Sequence, residues 1–458
     1  MTKFELIHYL LSILIWLIHF DYHFVNASSA FEQNVDTKKT FIYGPGLDKK
    51  ITLPVRYFYI QPVDINNLNI TRSLGDKAFD VTVTQANGNR ARVWVQLLDP
   101  QDGSYIVRYR LYESYSDIII NVQYKEQNVA KSPYKLSGMV YHEKCNCPVN
   151  RIDKWFEVMG CPETYHQIDE DLSIFDNVDL EKVAAEAVSR FSNRGMHSLS
   201  HYRIINNKIY RKTYGEHVGF KMFSDSVLLS LTRKVMLPDV EFFVNLGDWP
   251  LEKKDKKDNP LPIFSWCGSD LTRDIVMPTY DITEATIEMM SRVSLDVFSV
   301  QGNTGPQWEN KTSKAFWRGR DSRQERLDLV ELSRERPELI DAALTHMFFF
   351  PKDPEKYGEL VKTISFFEFF KIKWAESHEE EVLKIVSNAR SFVRENLLPK
   401  DIYCYHAKVF NKFSKLLKYK PKLPNSSWEL VEQPTDNDAK CDCKRSTKSK
   451  TKEKKDEL

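Results

Sequence analysis

From Thr40 to about Leu136 the chain alternates apolar and polar positions in short runs: Val55 to Ile60, Ala78 to Thr84, Ala91 to Leu97, Ser104 to Tyr109 and Asp117 to Tyr124. Runs of this length, divided by turn residues, predict an all-β sandwich. Asn87-Gly88-Asn89 and Asp102-Gly103 are hairpin signals. After Cys145 the pattern changes to helical periods alternating with buried strands. Asp179 to Phe191 and Val218 to Lys234 predict helices, and the largely apolar Val240 to Leu246 predicts a strand inside a parallel sheet. Such alternation implies a doubly wound α/β fold, in which ligands gather beyond the carboxyl ends of the strands.

Further along, strands become scarce. Between Lys314 and Tyr419 only Ala315 to Arg318 and His346 to Phe350 read as strands, with helices predicted over Leu327 to Glu335 and Trp374 to Arg394. A nucleotide-binding half commonly uses about five or six strands, so this half is expected to be incomplete. Ile364, Phe366, Phe367, Phe369 and Phe370 would then lack neighbours and leave an apolar surface.

The ends suggest a compartment. Lys3, the apolar run Leu10 to Ile18 and the small cluster Ala27, Ser28, Ser29, Ala30 read as a secretory signal. His19, Asp21 and His23 interrupt the run before the ~20 residues that a membrane span needs, so no span is expected after cleavage. Lys455-Asp456-Glu457-Leu458 is an address for the KDEL retrieval receptor, and together the two signals predict the endoplasmic reticulum lumen. The expected layout is a signal peptide over 1–29, the sandwich over 30–138, the α/β domain over 141–420 and a basic tail over 421–458.

Charge and cysteine content sharpen this. The 458 residues carry 65 Lys and Arg against 64 Asp and Glu, a balance that gives no case for nucleic acid as a partner. Seven cysteines in an oxidising compartment predict disulfides with at least one thiol left over. Asn69, Asn310 and Asn425 are glycosylation sequons.

Two segments are candidates for chemistry. The strand Val240 to Leu246 runs into Gly247-Asp248-Trp249-Pro250, which puts the Asp248 carboxylate just past a buried strand. That is a place for a general base, and equally for a turn-forming or capping Asp. In Phe316-Trp317-Arg318-Gly319-Arg320-Asp321-Ser322-Arg323, followed by Glu325-Arg326, an aromatic strand meets a glycine turn and a helix start among guanidiniums. This is either a diphosphate cradle or a helix start whose arginines pair with Asp321 and Glu325. No spacing points to a metal, although His142 lies near Cys145 and Cys147. Tyr214 to Phe220, Asn303-Thr304-Gly305-Pro306 and Trp308 read as loops that either line a cleft or serve as plain connections.

Gly44-Pro45-Gly46-Leu47, Asp102-Gly103-Ser104-Tyr105 and Ser132-Pro133-Tyr134 together resemble a filamin-type immunoglobulin-like repeat, whose role here is either to hold substrate or a subunit or to act as a spacer. His142-Glu143-Lys144-Cys145-Asn146-Cys147-Pro148, Gly215-Glu216-His217-Val218-Gly219-Phe220, Asn245-Leu246-Gly247-Asp248-Trp249-Pro250, Ile263-Phe264-Ser265-Trp266-Cys267, Trp317-Arg318-Gly319-Arg320 and Asp401-Ile402-Tyr403-Cys404-Tyr405 resemble the Rumi-type protein O-glucosyltransferases, in their KDEL-motif-containing subgroup. The resemblance implies two Rossmann-like halves of GT-B type, no bound cofactor, and inverting transfer from UDP-glucose, or UDP-xylose, to serine in EGF-like repeats.

By the same resemblance Asp248 is the base and Arg326 and Arg320 contact the nucleotide diphosphate, beside Arg318 and Gly319. It also implies that Cys404 pairs with one of Cys145 and Cys147, and that Cys161 is the unpaired thiol, because Ser200 stands where relatives have a cysteine. Where relatives carry further strands and a helix start that grips the nucleotide sugar, Phe369-Phe370-Lys371-Ile372-Lys373-Trp374 passes straight into the next helix. A deletion near 371–374 is therefore expected, leaving either an active variant or a short form that binds EGF-like repeats without turnover.

Overall fold

A computed structural model describes residues 34–193, 198–255, 259–288, 295, 312–363, 372–373, 379–434, 439–441 and 443. The leader, Asn303 to Pro306, Trp308, Asn310, the phenylalanines of 366–370 and the last four residues lie outside the described residues.

The sandwich has two sheets. One runs in the order β1 (Phe41–Tyr43), β2 (Arg56–Gln61), β5 (Tyr105–Leu111), β4 (Val93–Leu98). The other centres on β6 (Tyr115–Tyr124), flanked by β3 (Phe79–Gln85) on one side and by β7 (Gln127–Asn128) and β8 (Tyr134–Val140) on the other. Phe58, Ile60, Tyr105, Val107, Ile118, Ile120 and Val122 fill the space between them. The five expected strands are present. β8, beyond the expected runs, pairs antiparallel with β6.

Alternation puts Tyr57, Leu98 and Ile106 on the far face of the first sheet, where water would be expected. Instead they join Ile51, Leu53 and Val55 in one core with Trp155, Phe242, Phe264 and Phe410 of the α/β domain. Each such buried side chain contributes about 1.5–3 kcal/mol, so the repeat is fastened to its neighbour rather than strung ahead of it. Asp102 adds ion pairs to Arg390 at 3.1 Å and Arg394 at 3.8 Å, both on α7 (Glu379–Asn396).

The first half of the α/β domain holds α1 (Ile152–Met159), α2 (His166–Leu172), α3 (Leu180–Phe191), α4 (Lys221–Lys234) and α5 (Tyr280–Ile287). Asp179 caps α3 by accepting from the Lys182 amide, and Ala187 and Phe191 of that helix pack on Leu199, Phe243 and Ile263 of the sheet. The sheet order is β13 (Ile275–Val276), β12 (Ile263–Ser265), β11 (Val240–Asn245), β9 (Ser198–Ile205), β10 (Lys208–Gly215), β18 (Glu429–Val431). It is mixed, not doubly wound and parallel throughout. β11, β12 and β13 are parallel, whereas β9 is antiparallel to both β11 and β10, and β10 is antiparallel to β18. The β9–β10 reversal is made by the Asn206-Asn207 turn, where φ of 50° and 62° suits a two-residue hairpin.

In the second half, β15 (Ala315–Arg320) and β16 (Ile340–His346) pair in parallel beneath α6 (Gln324–Glu335), and β14 (Thr312–Ser313) pairs with β17 (Ile372–Lys373). The strand expected over His346 to Phe350 lies earlier: Ala342 and Leu344 point into the small core, and Phe348 and Phe349 are exposed. Their amides are taken by Asp321 instead of a sheet partner.

The cysteines correct two expectations. Cys404, on α8 (Pro399–Phe413), pairs with Cys161, while Cys145 and Cys147 pair with Cys441 and Cys443. The unpaired thiol is Cys267, not Cys161. The body also continues past residue 420. β18 extends the sheet, Gln433 bonds to Arg233 and to the Leu229 carbonyl, and the Ala439 carbonyl accepts from the Ser114 amide and hydroxyl.

Candidate active site

Six consecutive buried residues make β11 the centre of its sheet, and the chain leaves its carboxyl end in a loop that is fixed on every side. The Asn245 side chain accepts from the Gly247 amide at 2.9 Å and donates to the Trp249 carbonyl at 2.7 Å. Asp274, beyond the end of β12, accepts from the Leu251 amide at 2.6 Å, the Glu252 amide at 2.7 Å and the Ser265 hydroxyl at 2.8 Å. Asn245 Nδ2 also reaches Ser265 Oγ at 3.1 Å, joining the two clamps. Below them Glu252 is wholly buried against Arg190 at 2.5 Å.

Within this clamp Asp248 is exposed. Its carbonyl accepts from the Cys267 thiol at 2.9 Å, and among the described residues its carboxylate accepts no hydrogen bond. The turn is held by Asn245 and Asp274, and the carboxylate of Asp248 takes no part in it. Burial raises the Cys267 thiol above its usual range, and Asp274 and then Asp248 add to the rise. Tyr280 is raised by burial and, to a smaller extent, by Asp281 and Asp248, which places it in the same neighbourhood. Burial likewise raises Asp274, against the pull of its three donors.

The arginine cluster divides into two. Arg318 is committed: its guanidinium lies over Phe316, pairs with Asp341 at 2.9 Å and donates to the Asp341 carbonyl, which fastens β15 to β16. Gly319 is required by its neighbour, because a Cβ there would lie 2.4 Å from the Trp317 ring. Asp321, fully buried, accepts from the amides of Phe348, Phe349 and Phe350 at 2.8–2.9 Å and pairs with no arginine among the described residues.

Arg320, Arg323 and Arg326 thus have no carboxylate partner among the described residues. Arg320 rests over Phe348, and Arg326 donates to the Arg320 carbonyl at 3.1 Å near the start of α6. Arg323 reaches across to the first half, its guanidinium 5.5 Å from the centre of the Trp249 ring. That contact brings the residue next to Asp248 against the arginine cluster of the second half. Cations without carboxylates at a helix N-terminus form a ready anion site. Among the described residues no group of three His, Cys, Asp and Glu side chains is arranged around a metal.

The sequence shows Asn245 and Ser265 only as members of motifs, without a role, and nothing local distinguishes Asp274 from any other Asp before a short strand. Tyr214 is half-buried under Lys212, and Phe220 joins Phe223, Trp266 and Tyr280 in an aromatic cluster.

The profile of glycosyl transferase family 90 matches residues 157–373 and 369–457, and that of the Filamin/ABP280 repeat matches residues 34–135. The chain belongs to glycosyl transferase family 90. Protein O-glucosyltransferase 2 of Danio rerio is 47% identical over 89% of this chain and 93% of its own length. Protein O-glucosyltransferase 3 of Homo sapiens is 40% identical over 93% of the chain and 96% of its own length. The O-glucosyltransferase rumi homolog of Aedes aegypti is 36% identical over a shorter stretch, 24% of this chain and 29% of its own length. The expected filamin repeat ahead of a glycosyltransferase domain is therefore the architecture of this family 90 chain, and family membership implies a nucleotide-sugar donor. No described helix is long and apolar enough to cross a membrane.

Proposed function

We propose that this chain transfers glucose from UDP-glucose, or xylose from UDP-xylose, to a serine hydroxyl of a folded EGF-like repeat, with inversion. The observation that supports the reading is the Arg323 guanidinium resting on Trp249, the residue next to Asp248, with Arg326 hydrogen-bonded to the Arg320 carbonyl at the same helix start. Asp248 takes the serine proton as the serine oxygen attacks the anomeric carbon. The bond from that carbon to the diphosphate breaks on the opposite face, giving a β linkage. UDP departs with the bonding pair, its charge met by the three guanidiniums and the start of α6. Arg318 and Gly319 shape the cradle without touching the phosphates. A lumenal setting suits the three disulfides, and the repeat fused to the transferase core extends the surface available to a protein acceptor.

A second reading has its own support. The family match falls in two stretches that meet at 369–373, where the sequence crosses the expected gap, and the described second half offers only two short parallel pairs. On that reading the chain binds EGF-like repeats without turnover. Intact-mass analysis of a folded EGF-like repeat after incubation with the chain and UDP-glucose separates the two. Addition of one hexose, reduced about 10²–10⁴-fold in Asp248→Asn, is the expected result. Binding of the repeat with no added hexose, under conditions where a full-length relative modifies it, would establish the second reading.

A further inference from the structure

Trp249 is 69% exposed although it follows a strand whose every residue is buried. Its backbone is held by Asn245 on one side and by Pro250 and the Asp274 clamp on the other, so the ring is presented to solvent from a rigid base. Among the described residues Arg323 makes no ion pair, and its guanidinium rests against that ring.

We infer that Trp249 is the platform for the sugar of the donor and that Arg323 serves as its cover until the donor arrives. This rests on the donor reading above. An exposed cation–π contact is weak, whereas a guanidinium paired with a phosphate is held by charge-assisted, commonly bidentate hydrogen bonds. The diphosphate therefore draws Arg323 off the ring. Trp249 follows Asp248 directly in the chain and touches Arg323, so a pyranose bridging the base and the diphosphate would meet the uncovered face. Its flat apolar C–H face is complementary to an indole, and its anomeric carbon then lies within reach of an acceptor oxygen activated by Asp248.

Titration calorimetry with UDP and with UDP-glucose, on the full chain and on Trp249→Ala and Trp249→Phe, tests this without requiring turnover. In Trp249→Ala the affinity for UDP-glucose should fall about fivefold. Affinity for UDP alone should hold or rise, because Arg323 no longer has a ring to leave. Trp249→Phe should recover most of the loss. Equal weakening of both ligands, or unchanged binding of UDP-glucose, overturns the platform while leaving the cradle in place. Wild-type chain that binds neither ligand overturns the cradle and the platform together.

Discussion

Replacing Asp401 with asparagine should stabilise the protein at neutral pH and leave its stability unchanged in acid. Asp401 lies in the first turn of α8, 5% exposed, and its Oδ2 has no hydrogen-bond partner among the described residues. Among the described residues the only cation paired with it is Lys400, 3.7 Å from Oδ1. Burial pushes the carboxyl up to about 6, an effect that Lys400 only partly opposes, and the nearby Tyr165 phenol is raised by burial and further by the charge on Asp401. The folded pKa exceeds the unfolded value, so the native state keeps a proton that the unfolded chain releases. Stability should therefore fall as pH rises from about 4 to about 6, with the full loss present above that window. Two pK units correspond to about 3 kcal/mol, which is the gain expected for Asp401→Asn at about pH 7.5 and should vanish below about pH 4. Urea unfolding of both proteins across this range measures it. A variant that is less stable at neutral pH, or a difference that does not change with pH, would refute the claim that burial of the charge outweighs its stabilising contacts.

Asp274→Ala should strip the acceptor from two amides and one hydroxyl, each unsatisfied group costing about 1–3 kcal/mol. Hydrogen exchange should show faster exchange at Leu251 and Glu252 while β2 and β5 stay protected; unchanged exchange at those two amides would mean that the clamp does not hold the loop. Alkylation of the unreduced, denatured chain should label one cysteine, and peptide mapping should place it at Cys267; a label at Cys161 would contradict the disulfide pairing.

The sandwich was legible in the sequence because alternation over five runs survives whatever packs on the outer face. Its attachment was not, because Tyr57 and Ile106 read as ordinary outer positions until a second domain is brought against them. Val240 to Leu246 showed a buried strand correctly, since burial on both faces leaves the same apolar run whichever way its neighbours point. Parallel and antiparallel partners therefore come from the structure, and only Asn206-Asn207 carries a local hairpin signal for the β9–β10 reversal. Asp248, Arg320 and Arg326 stood out through motif and charge. Their setting depended on Asp274 and Asp321, whose importance comes from the amides they accept, and no local pattern announces which amides a distant carboxylate will meet. Cysteine pairing failed for a related reason: partners 243 and 296 residues apart are fixed by tertiary proximity.

The staples at Cys145 and Cys147 also set a schedule for synthesis. Each waits for a partner 296 residues downstream, and a ribosome adding about 5–20 residues per second takes roughly 15–60 s to supply it. Throughout that interval two thiols at the junction between repeat and transferase stay open to oxidation with one another or with another nascent chain. A chain released before Cys441 would lose the clasp, so closure of these bonds marks a molecule whose synthesis has passed Cys443.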